Sequence, residues 1–333
     1  MGGIRTSVAM CTYDGADFLL QQLESIQRQS VAVDEVVICD DRSRDDTQQI
    51  VDVFSKEHPG LVRFFRNDRN VGYIQNFSQA LSRCSGDIIF LSDQDDVWLP
   101  TKVEKILGAF AQHQDIGVVA SAATVTDRNL KPTGRALMPF HASHSRQANT
   151  FSARYQRSFA YGCTLAMRAT LMPLIMPIPP SWGHDNWICL VASLFSKAYS
   201  IPEPLMYYRR HPGSAGLNDR LDGAGWGQFA AAYKKSAGLD YRKDWEQWQA
   251  IHDRLVVMLD SDERSSALDG ADSKIREALQ EIGARVNFSW RRLRVTAIPR
   301  LLRVFGVLHL LFSGQYAEFA SGWRSVAKDL LTE

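Results

Sequence analysis

Short apolar runs alternate with amphipathic helical patterns through the first half of the chain. Each run is followed by roughly ten to fifteen residues whose apolar positions recur every three or four places. The runs are Ser7–Met10, Val36–Cys39, Val62–Phe65 and Ile88–Leu91. This alternation is typical of repeated strand–helix units, so it predicts an α/β fold with a mostly parallel sheet flanked by helices.

Two further strands are expected after the first four. One covers Val118–Val125, and the residues after it, to about 144, have the Pro, Gly and His content of a loop. The other covers Leu205–Tyr208. Pro202 and Pro204 favour a position at the sheet edge for this last strand, because proline cannot donate a ladder hydrogen bond.

The last third of the chain, from about residue 221, is helical in pattern and rich in Trp, Arg and Leu. We therefore expect a first domain over residues 1–215 and a helical region over residues 216–333. Within that region, Arg285–Phe312 carries six arginines and no acidic residue, interleaved with apolar residues. Such a basic amphipathic stretch predicts contact with an anionic membrane surface, and packing on the first domain or a homodimer contact would give the same pattern. Pro299 would start or interrupt a helix there.

Polar clusters follow all four strands of the first half. The carboxyl ends of parallel strands meet at one edge of a sheet, so we expect these clusters to form a single ligand site. The clusters are Thr12–Gly15, Asp40–Ser43, Asn67–Gly72 and Asp93–Asp96.

The fourth cluster contains three carboxylates within four residues, in Ser92-Asp93-Gln94-Asp95-Asp96-Val97-Trp98. Carboxylates this close repel one another unless a cation lies among them. Mg²⁺ or Mn²⁺ binds through one or two carboxylates and completes its shell with water and phosphate oxygens. The cluster therefore predicts a divalent cation and a substrate that carries a diphosphate. A solvated acidic turn before a helix near Thr101 is the alternative.

Composition and charge bear on the partners and the cellular location expected for this protein. The 38 basic and 37 acidic residues give a net charge of +1, which does not indicate nucleic-acid binding. The five cysteines are odd in number and widely spaced, as expected for reduced thiols. The amino terminus lacks an apolar signal region, and Val304–Phe312 is far shorter than the roughly 20 residues of a spanning helix. We expect a cytoplasmic protein, peripheral on the inner face of the cytoplasmic membrane if Arg285–Phe312 binds lipid.

The stretch from Ser92 to Trp98 resembles the Asp-x-Asp motif of family-2 inverting glycosyltransferases, and its longer form resembles their bacterial rhamnosyltransferase-like subgroup. The resemblance covers roughly residues 5 to 215. It implies a GT-A (Rossmann-like) fold, with a nucleotide-sugar half over about 1–115 and an acceptor half over about 116–215. It also implies that Asp93 faces a ribose and Asp95 a metal ion. Asp96 is additional, so the main metal ligand is either Asp95 or Asp96.

The same resemblance implies roles for residues in the loops after the first two strands. In the family, the second Asp of a pair such as Asp40-Asp41 accepts the N3–H of a uracil or thymine ring. This implies that Asp41 reads the base, with Thr12, Tyr13 and Asp14 as its neighbours. Capping of the second helix is the alternative for the acidic residues of this segment.

The third loop, Asn70-Val71-Gly72, resembles the family's Asn-x-Gly turn, in which glycine permits close backbone approach. Asn70 and Gly72 are therefore expected to contact the nucleotide. Asp87, just before the fourth strand, resembles a position that aids nucleotide placement. A role for Asp87 in tying loops together is equally consistent with the sequence.

The acceptor side is represented by Trp182-Gly183-His184-Asp185-Asn186-Trp187, which resembles the family's Glu/His-Asp motif at the start of a helix. Asp185 is the implied general base, which removes the proton of the acceptor hydroxyl. A helix cap is the alternative for Asp185. Trp182 and Trp187 would stack on sugar rings or, like most large aromatic residues, pack in the core.

The last segment of the first domain is basic. Tyr207–Ser214 resembles the family's Arg-x-His element, which implies that His211 ligates the metal or a phosphate and that Arg209 offsets diphosphate charge. A basic surface cluster at the end of a strand is the alternative. The other histidines with weaker claims to a role are His141, His144 and His184.

Together, these motifs imply a metal-dependent inverting glycosyltransferase. The implied donor is dTDP-L-rhamnose, or otherwise a UDP-hexose, and the implied acceptor is a glycan or lipid-linked glycan of a bacterial surface polysaccharide. An inactive scaffold in a glycan assembly complex is an alternative. A sugar nucleotidyltransferase is a second one, but it would need a glycine-rich basic loop where this chain has Cys11-Thr12-Tyr13-Asp14-Gly15.

Overall fold

Buried apolar strands lie at the centre of the amino-terminal part of the chain. The computed structural model describes residues 3–139, 160–214, 241–260, 272–319 and 323–331. Two units are distinguished by their internal contacts. The first runs to Ser214, next to the expected boundary at residue 215, and the second contains the described helices from Tyr241 onward.

The strands of the first unit form one sheet. They are β1 Thr6–Thr12, β2 Glu35–Asp40, β3 Val62–Arg66, β4 Ile88–Ser92, β5 Val97–Trp98, β6 Ile116–Thr126, β7 Pro132–Leu137, β8 Leu165–Arg168 and β9 Lys197–Arg209. Their order is β3-β2-β1-β4-β8-β6-β9-β5, and β7 pairs with β6 outside this path.

The first four strands confirm the predicted parallel arrangement. β1 pairs in parallel with both β2 and β4, and β2 pairs in parallel with β3. β1, β2 and β4 are buried along nearly their whole length, which explains their continuous apolar runs. In register, Thr12 lies beside Asp40 and Met10 beside Ser92, so the polar clusters that follow these strands leave the same edge of the sheet.

The second half of the sheet is mixed. β8 is antiparallel to β4 and β6, whereas β6 and β9 are parallel to each other. The loop predicted after Val118–Val125 includes β7, which forms an antiparallel pair with β6, so that prediction was wrong for these residues. The sequence pattern did not indicate this strand, because β7 is mostly exposed and carries few apolar residues.

The prediction that Leu205–Tyr208 lies at a sheet edge was also wrong. These residues belong to β9, which pairs with β6 on one side and with β5 on the other. Pro202 and Pro204 are accommodated where the register between β6 and β9 shifts, since an irregular position requires no ladder hydrogen bond. β5 has only two residues, too few for a recognisable pattern.

Helices flank this sheet. They are α1 Leu19–Gln27, α2 Thr47–Glu57, α3 Tyr73–Arg83, α4 Lys102–Gln112, α5 Met172–Ile175 and α6 His184–Phe195. α1 illustrates why they form: Leu19, Leu23 and Ile26 recur at helical spacing and are all buried. α4 begins next to Thr101, where a helix was expected.

The second unit is helical throughout its described part, as predicted. Its helices are α7 Tyr241–Asp260, α8 Asp272–Thr296, α9 Arg300–Phe312, α10 Gln315–Phe319 and α11 Trp323–Leu331. Pro299 immediately precedes α9 and so starts a helix rather than interrupting one. Phe288, Val307, Leu310, Tyr316 and Val326 form a buried cluster between these helices. No helix in the described residues is both long enough and apolar enough to span a bilayer.

A buried ion pair crosses this helical unit. Arg292 donates from Nε and a terminal nitrogen to the two carboxylate oxygens of Asp329, at 2.7 and 2.6 Å. The hydroxyls of Tyr241 and Tyr316 donate to the same carboxylate. Arg292 and Asp329 are 7% and 0% exposed. Among the arginines of the Arg285–Phe312 stretch, Arg292 therefore lies inside the unit, and the membrane contact expected for the stretch stays a prediction.

Replacing Arg292 with Leu should lower the free energy of unfolding by about 3–5 kcal/mol, because the buried Asp329 carboxylate would lose its counter-charge. Arg291→Leu is the matched control, since Arg291 is exposed, and it should change stability by less than about 0.5 kcal/mol. Denaturant titration of the full chain, followed by circular dichroism, measures both values. Equal losses in the two variants would contradict a structural role for the Arg292–Asp329 pair.

Candidate active site

The three carboxylates of the acidic cluster after β4 differ in exposure: Asp93 and Asp95 are partly exposed, and Asp96 is buried. The Asp95 side chain is 18% exposed, and its Oδ2 lies 2.8 Å from Nε2 of His211. Asp96 is 0% exposed; its Oδ1 accepts the backbone N–H of Arg209 at 3.1 Å. Its Oδ2 is buried and has no hydrogen-bond partner among the described residues. Asp93 and Asp95 are therefore open to a ligand that arrives from solvent, whereas Asp96 is not.

Negative charge accumulates at this point of the structure. Burial, together with the Asp95 and Asp185 carboxylates, raises the pKa of Asp93 to about 7. Burial, together with the Asp95 and Asp93 carboxylates, raises the pKa of Asp96 well above its usual range. Lys102 is fully buried nearby, where its ammonium donates to the Cys163 carbonyl at 2.8 Å. Lys102 and Arg209 thus face the three carboxylates of Asp93, Asp95 and Asp96, an excess of acidic groups that favours a further cation.

Two sets of side chains could hold a metal ion. Asp93, Asp96 and Cys163 have ligand atoms within 4.8 Å of one another. However, Asp96 and Cys163 are buried, and a thiol is a poor ligand for Mg²⁺ or Mn²⁺. Asp95 and His211 are partly exposed and offer a carboxylate oxygen and an imidazole nitrogen. This accessible pair suits a divalent ion that also binds a phosphorylated substrate.

Asp41 joins the second and third loops. Its carboxylate accepts the backbone N–H groups of Val71 and Gly72, both at 2.8 Å, and the Asn67 amide at 2.9 Å. Asn70 Oδ1 accepts the same Gly72 N–H at 3.2 Å. Gly72 has a φ of 82°, a left-handed conformation that disfavours other residues. Asp41, Asn70 and Gly72 are thus brought together, and Asp41 is only 3% exposed.

The loop after β1 is tied to both neighbouring loops. The Thr12 hydroxyl donates to Asp40 Oδ1 at 2.8 Å, and Asp14 Oδ1 accepts the Arg44 N–H at 2.7 Å. Tyr13 is 47% exposed, so its ring is available to a ligand.

Gln94 connects the β1 loop to the acidic cluster and was missed in the sequence analysis. Its Oε1 accepts the Tyr13 N–H at 2.8 Å, and its Nε2 donates to the Tyr13 carbonyl at 2.9 Å. The approach requires Gly15, because a Cβ there would lie 2.2 Å from Gln94 Oε1. Gln94 lies between two carboxylates in sequence, where a glutamine carries no signal of its own.

Arg209 has a different environment from the one expected. It is 4% exposed, and its guanidinium donates to the carbonyls of Asp95 and Arg128 at 2.7 and 2.6 Å. A third donor reaches Gln21 Oε1 at 2.5 Å, and the group lies over the Phe18 ring. The geometry assigns Arg209 to support of the Asp95 loop.

Asp185 lies in the first turn of α6, and its Oδ1 accepts the Asn186 N–H at 2.7 Å. It is close enough to the acidic cluster for its charge to raise the pKa of Asp93. Its charge also contributes to the raised pKa of Tyr73, a 59% exposed residue at the start of α3 that was not singled out from the sequence. The structure thus brings Asp185, Asp93 and Tyr73 into one region.

His184 and the two flanking tryptophans are buried. His184 stacks on Phe77 with ring centroids 3.9 Å apart, and burial lowers its pKa to about 4. Trp187 is 1% exposed and donates from Nε1 to the Ile175 carbonyl, while Trp182 is 5% exposed. The hypothesis that Trp182 and Trp187 stack on sugar rings was wrong in this structure, since both belong to the core.

Two other candidates lie away from the site. Asp87 precedes β4 and so lies at the opposite edge of the sheet from Asp93; its Oδ2 accepts the Arg5 N–H at 2.9 Å. Its role is therefore the loop tie, and nucleotide placement was the wrong alternative. His141 and His144 lie outside the described residues.

The sheet and the acidic edge are those of a GT-A glycosyltransferase, and comparison with known proteins agrees. The fold is similar to that of a crystal structure of S. aureus TarS in complex with UDP-GlcNAc, with a TM-score of 0.56 and 16% identity over 97% of this chain and 90% of that chain. Residues 7–172 match the model of Glycosyl transferase family 2. The chain is therefore a glycosyltransferase whose residues 7–172 belong to glycosyltransferase family 2.

Two curated relatives are similar in sequence. An uncharacterized glycosyltransferase of Nostoc sp. is 25% identical over 259 residues, covering 76% of this chain and 76% of that protein. The dTDP-rhamnosyl transferase RfbG of Shigella flexneri is 29% identical over 102 residues, covering 29% of this chain and 35% of that protein. The second similarity is confined to a short segment.

Gly15→Ala should lower the free energy of unfolding by about 1–3 kcal/mol, because the added methyl group would collide with Gln94. In a Gln94→Ala background the same change should cost less than about 0.5 kcal/mol, since the colliding atoms are gone. Gly108→Ala, in an open position on α4, is the control and should be neutral or stabilise by up to about 1 kcal/mol. Denaturant titration of the wild type, Gly15→Ala, Gln94→Ala and the double variant gives a double-mutant cycle. Gly108→Ala is measured beside them. Additive costs would show that Gln94 and Gly15 do not interact.

Proposed function

We propose that this chain is a metal-dependent inverting glycosyltransferase that moves a sugar from a dTDP- or UDP-linked donor to a polysaccharide acceptor. One observation carries the proposal: Asp95 and His211, 116 positions apart in sequence, meet at 2.8 Å at the edge of the sheet that Asp185 also approaches. Such a reaction requires ligands for a metal ion and a general base. The accessible Asp95–His211 pair would supply the ligands, and the Asp185 carboxylate would be the base.

The donor nucleotide is assigned to the loops after β1, β2 and β3. Asp41 would accept the N3–H of a uracil or thymine ring, with Thr12, Tyr13, Asp14, Asn70 and Gly72 around the nucleoside. The three hydrogen bonds that Asp41 already accepts keep its carboxylate in place. Asp93 would face the ribose. The UDP-GlcNAc complex of TarS, which has a similar fold, supports a nucleoside diphosphate sugar as the donor class.

Asp95 and His211 would hold Mg²⁺ or Mn²⁺, which would neutralise the diphosphate as it leaves. Phe18 supports this arrangement, because its ring lies 4.6 Å from that of His211 and 4.6 Å from the Arg209 guanidinium. Asp96 would act indirectly, through the Arg209 backbone N–H that it accepts. Arg209 in turn donates a hydrogen bond to the Asp95 carbonyl. The buried Asp96 and Arg209 would therefore hold the two ligand side chains, Asp95 and His211, in position.

Asp185 would remove the proton of the attacking acceptor hydroxyl as the bond from the sugar to the diphosphate breaks. Attack from the face opposite the leaving group inverts the anomeric carbon, so the product would have the configuration opposite to that of the donor. Two features support this role. Asp185 lies at a helix start in contact with its own first turn, which limits its rotamers, and its charge acts on Asp93 across the site.

The proposed sugar and acceptor follow from similarity to known proteins. L-Rhamnose from dTDP-L-rhamnose is the first donor to test, because the Ser92–Trp98 motif resembles that subgroup and a short segment is similar to RfbG. A UDP-hexose is the next. The acceptor class that we propose is a bacterial surface polysaccharide, such as an O-antigen, a capsule or an exopolysaccharide, as a free or lipid-linked glycan.

Metal-dependent donor binding should disappear in Asp95→Ala. In the wild type, a nucleotide sugar at about 100 times its Kd should add about 2.7 kcal/mol to stability, and only with Mn²⁺ present. Asp95→Ala should lose this gain without unfolding, because among the described residues its side chain forms a hydrogen bond with His211 alone. Thermal shift with dTDP-rhamnose and UDP-hexoses, with and without Mn²⁺, is the measurement.

Asp87→Asn is the control for that screen, since it also removes one carboxylate but at the opposite edge of the sheet. It should keep the full Mn²⁺-dependent shift. A normal shift in Asp95→Ala and a lost one in Asp96→Asn would make Asp96 the metal ligand and overturn the assignment to Asp95.

Asp185→Asn should keep donor binding but lower turnover by about 10²–10⁴-fold, because an amide cannot accept the hydroxyl proton. Turnover is measured as free dTDP or UDP released on mixing donor with acceptor. Equal falls in donor affinity and rate would assign Asp185 to the donor side. Absence of nucleotide release by the wild type with every donor that binds would favour the scaffold alternative.

A further inference from the structure

The outer face of α9 is apolar and exposed. It consists of Leu302, Val304, Phe305, Leu308 and Phe312, which are 57%, 42%, 75%, 38% and 84% exposed. On the opposite side of the same helix, Val307 and Leu310 are 1% exposed and belong to the core of the helical unit. A helix of 3.6 residues per turn places the five exposed residues on one broad arc, away from that core.

A helix that is apolar on both sides is unusual at a protein surface. Ordinary surface helices present charged residues opposite their buried stripe. Here His309 is the polar side chain on the exposed arc, and two phenylalanines protrude with three quarters or more of their surface in water. Contiguous exposed apolar surface of this kind marks a contact with another molecule or with lipid.

The preceding helix, α8, carries exposed basic and aromatic side chains. Arg291 and Arg294 of α8 are exposed, and the Arg294 guanidinium lies 4.7 Å from the centre of the Trp290 ring, which is itself 42% exposed. The sequence has no acidic residue between Glu281 and Glu318. The side chains of Arg292 and Arg303 are buried, so Arg291 and Arg294 supply the exposed charge that the structure describes here.

We propose that the outer face of α9 inserts into the headgroup boundary of an anionic lipid bilayer, with Arg291 and Arg294 against the anionic lipids. The combination fits a helix lying in the plane of the interface, where an apolar face is buried beside basic and aromatic residues. α9 has 13 residues, too few to span a bilayer but enough to lie on one.

Charge favours lipid over a second copy of this chain. A two-fold dimer places the same patch against itself, so Arg291 and Arg294 would meet their own copies without an acidic partner in this stretch. An anionic bilayer neutralises both residues at once. This proposal does not depend on the reaction, because vesicle binding requires neither donor nor acceptor.

The test is co-sedimentation of the full chain with vesicles of phosphatidylcholine alone or mixed with phosphatidylglycerol, at low and high salt. The wild type should bind the mixed vesicles at low salt and release them as salt screens the charges. Phe305→Ser/Phe312→Ser should weaken binding by at least about tenfold, from the loss of two buried aromatic side chains. Arg291→Glu/Arg294→Glu should weaken binding to the anionic vesicles by at least about 20-fold, since each basic residue near the surface contributes about fivefold.

Val257→Ser is the matched control, since Val257 is 55% exposed on α7 and lies outside the outer face of α9. It should bind vesicles as the wild type does, and Phe305→Trp should also retain binding. Unchanged circular dichroism spectra establish that the variants are folded. Failure of the wild type to sediment with anionic vesicles at low salt would overturn the proposal. So would light scattering that shows a dimer which Phe305→Ser/Phe312→Ser dissociates, because a second copy would then cover this face.

Discussion

Mutual repulsion among the three carboxylates after β4 is the constraint on which the candidate site depends. The chain resolves it by separating them. Asp96 is buried next to the Lys102 ammonium, Asp95 pairs with His211, and Asp93 is left with a raised pKa. Only the second solution uses a residue from a distant part of the sequence, since His211 lies 116 positions from Asp95 whereas Lys102 is close to Asp96. The remaining negative charge is concentrated at Asp93 and Asp95, where a cation and a diphosphate would be bound.

The loops around this charge are connected by side chains that bond to backbone groups. Asp41 binds two N–H groups of the third loop, Gln94 pairs with the backbone of Tyr13, and Arg209 binds the carbonyl of Asp95. Backbone partners fix the path of a loop, whatever side chains it carries. Some residues identified as ligand contacts therefore also stabilise the loops, and the functional effect of replacing them has to be measured beside their effect on stability.

The arginines of the carboxy-terminal region show how one residue type takes different roles within a few positions. Arg292 has its guanidinium inside the helical unit, against Asp329 and two tyrosine hydroxyls, whereas Arg291 and Arg294 are exposed. Local spacing identified the region as basic and amphipathic. It could not separate the buried arginine from the exposed ones, because the partner, Asp329, is 37 residues away in sequence.

The sequence by itself determined the α/β fold, the four parallel strands and the edge at which their polar loops meet, because burial of continuous apolar runs and strand–helix alternation are local patterns. It also proposed Asp95, His211 and Asp185 as site residues, because they lie in motifs that resemble those of the family; their roles stay predictions. Only the tertiary structure decided that Asp96 is buried, that Arg209 supports a loop, that β9 lies inside the sheet and that Gln94 pairs with Tyr13. Those outcomes depend on which distant segments meet, and a pairing between distant segments leaves no mark in the local pattern of either one.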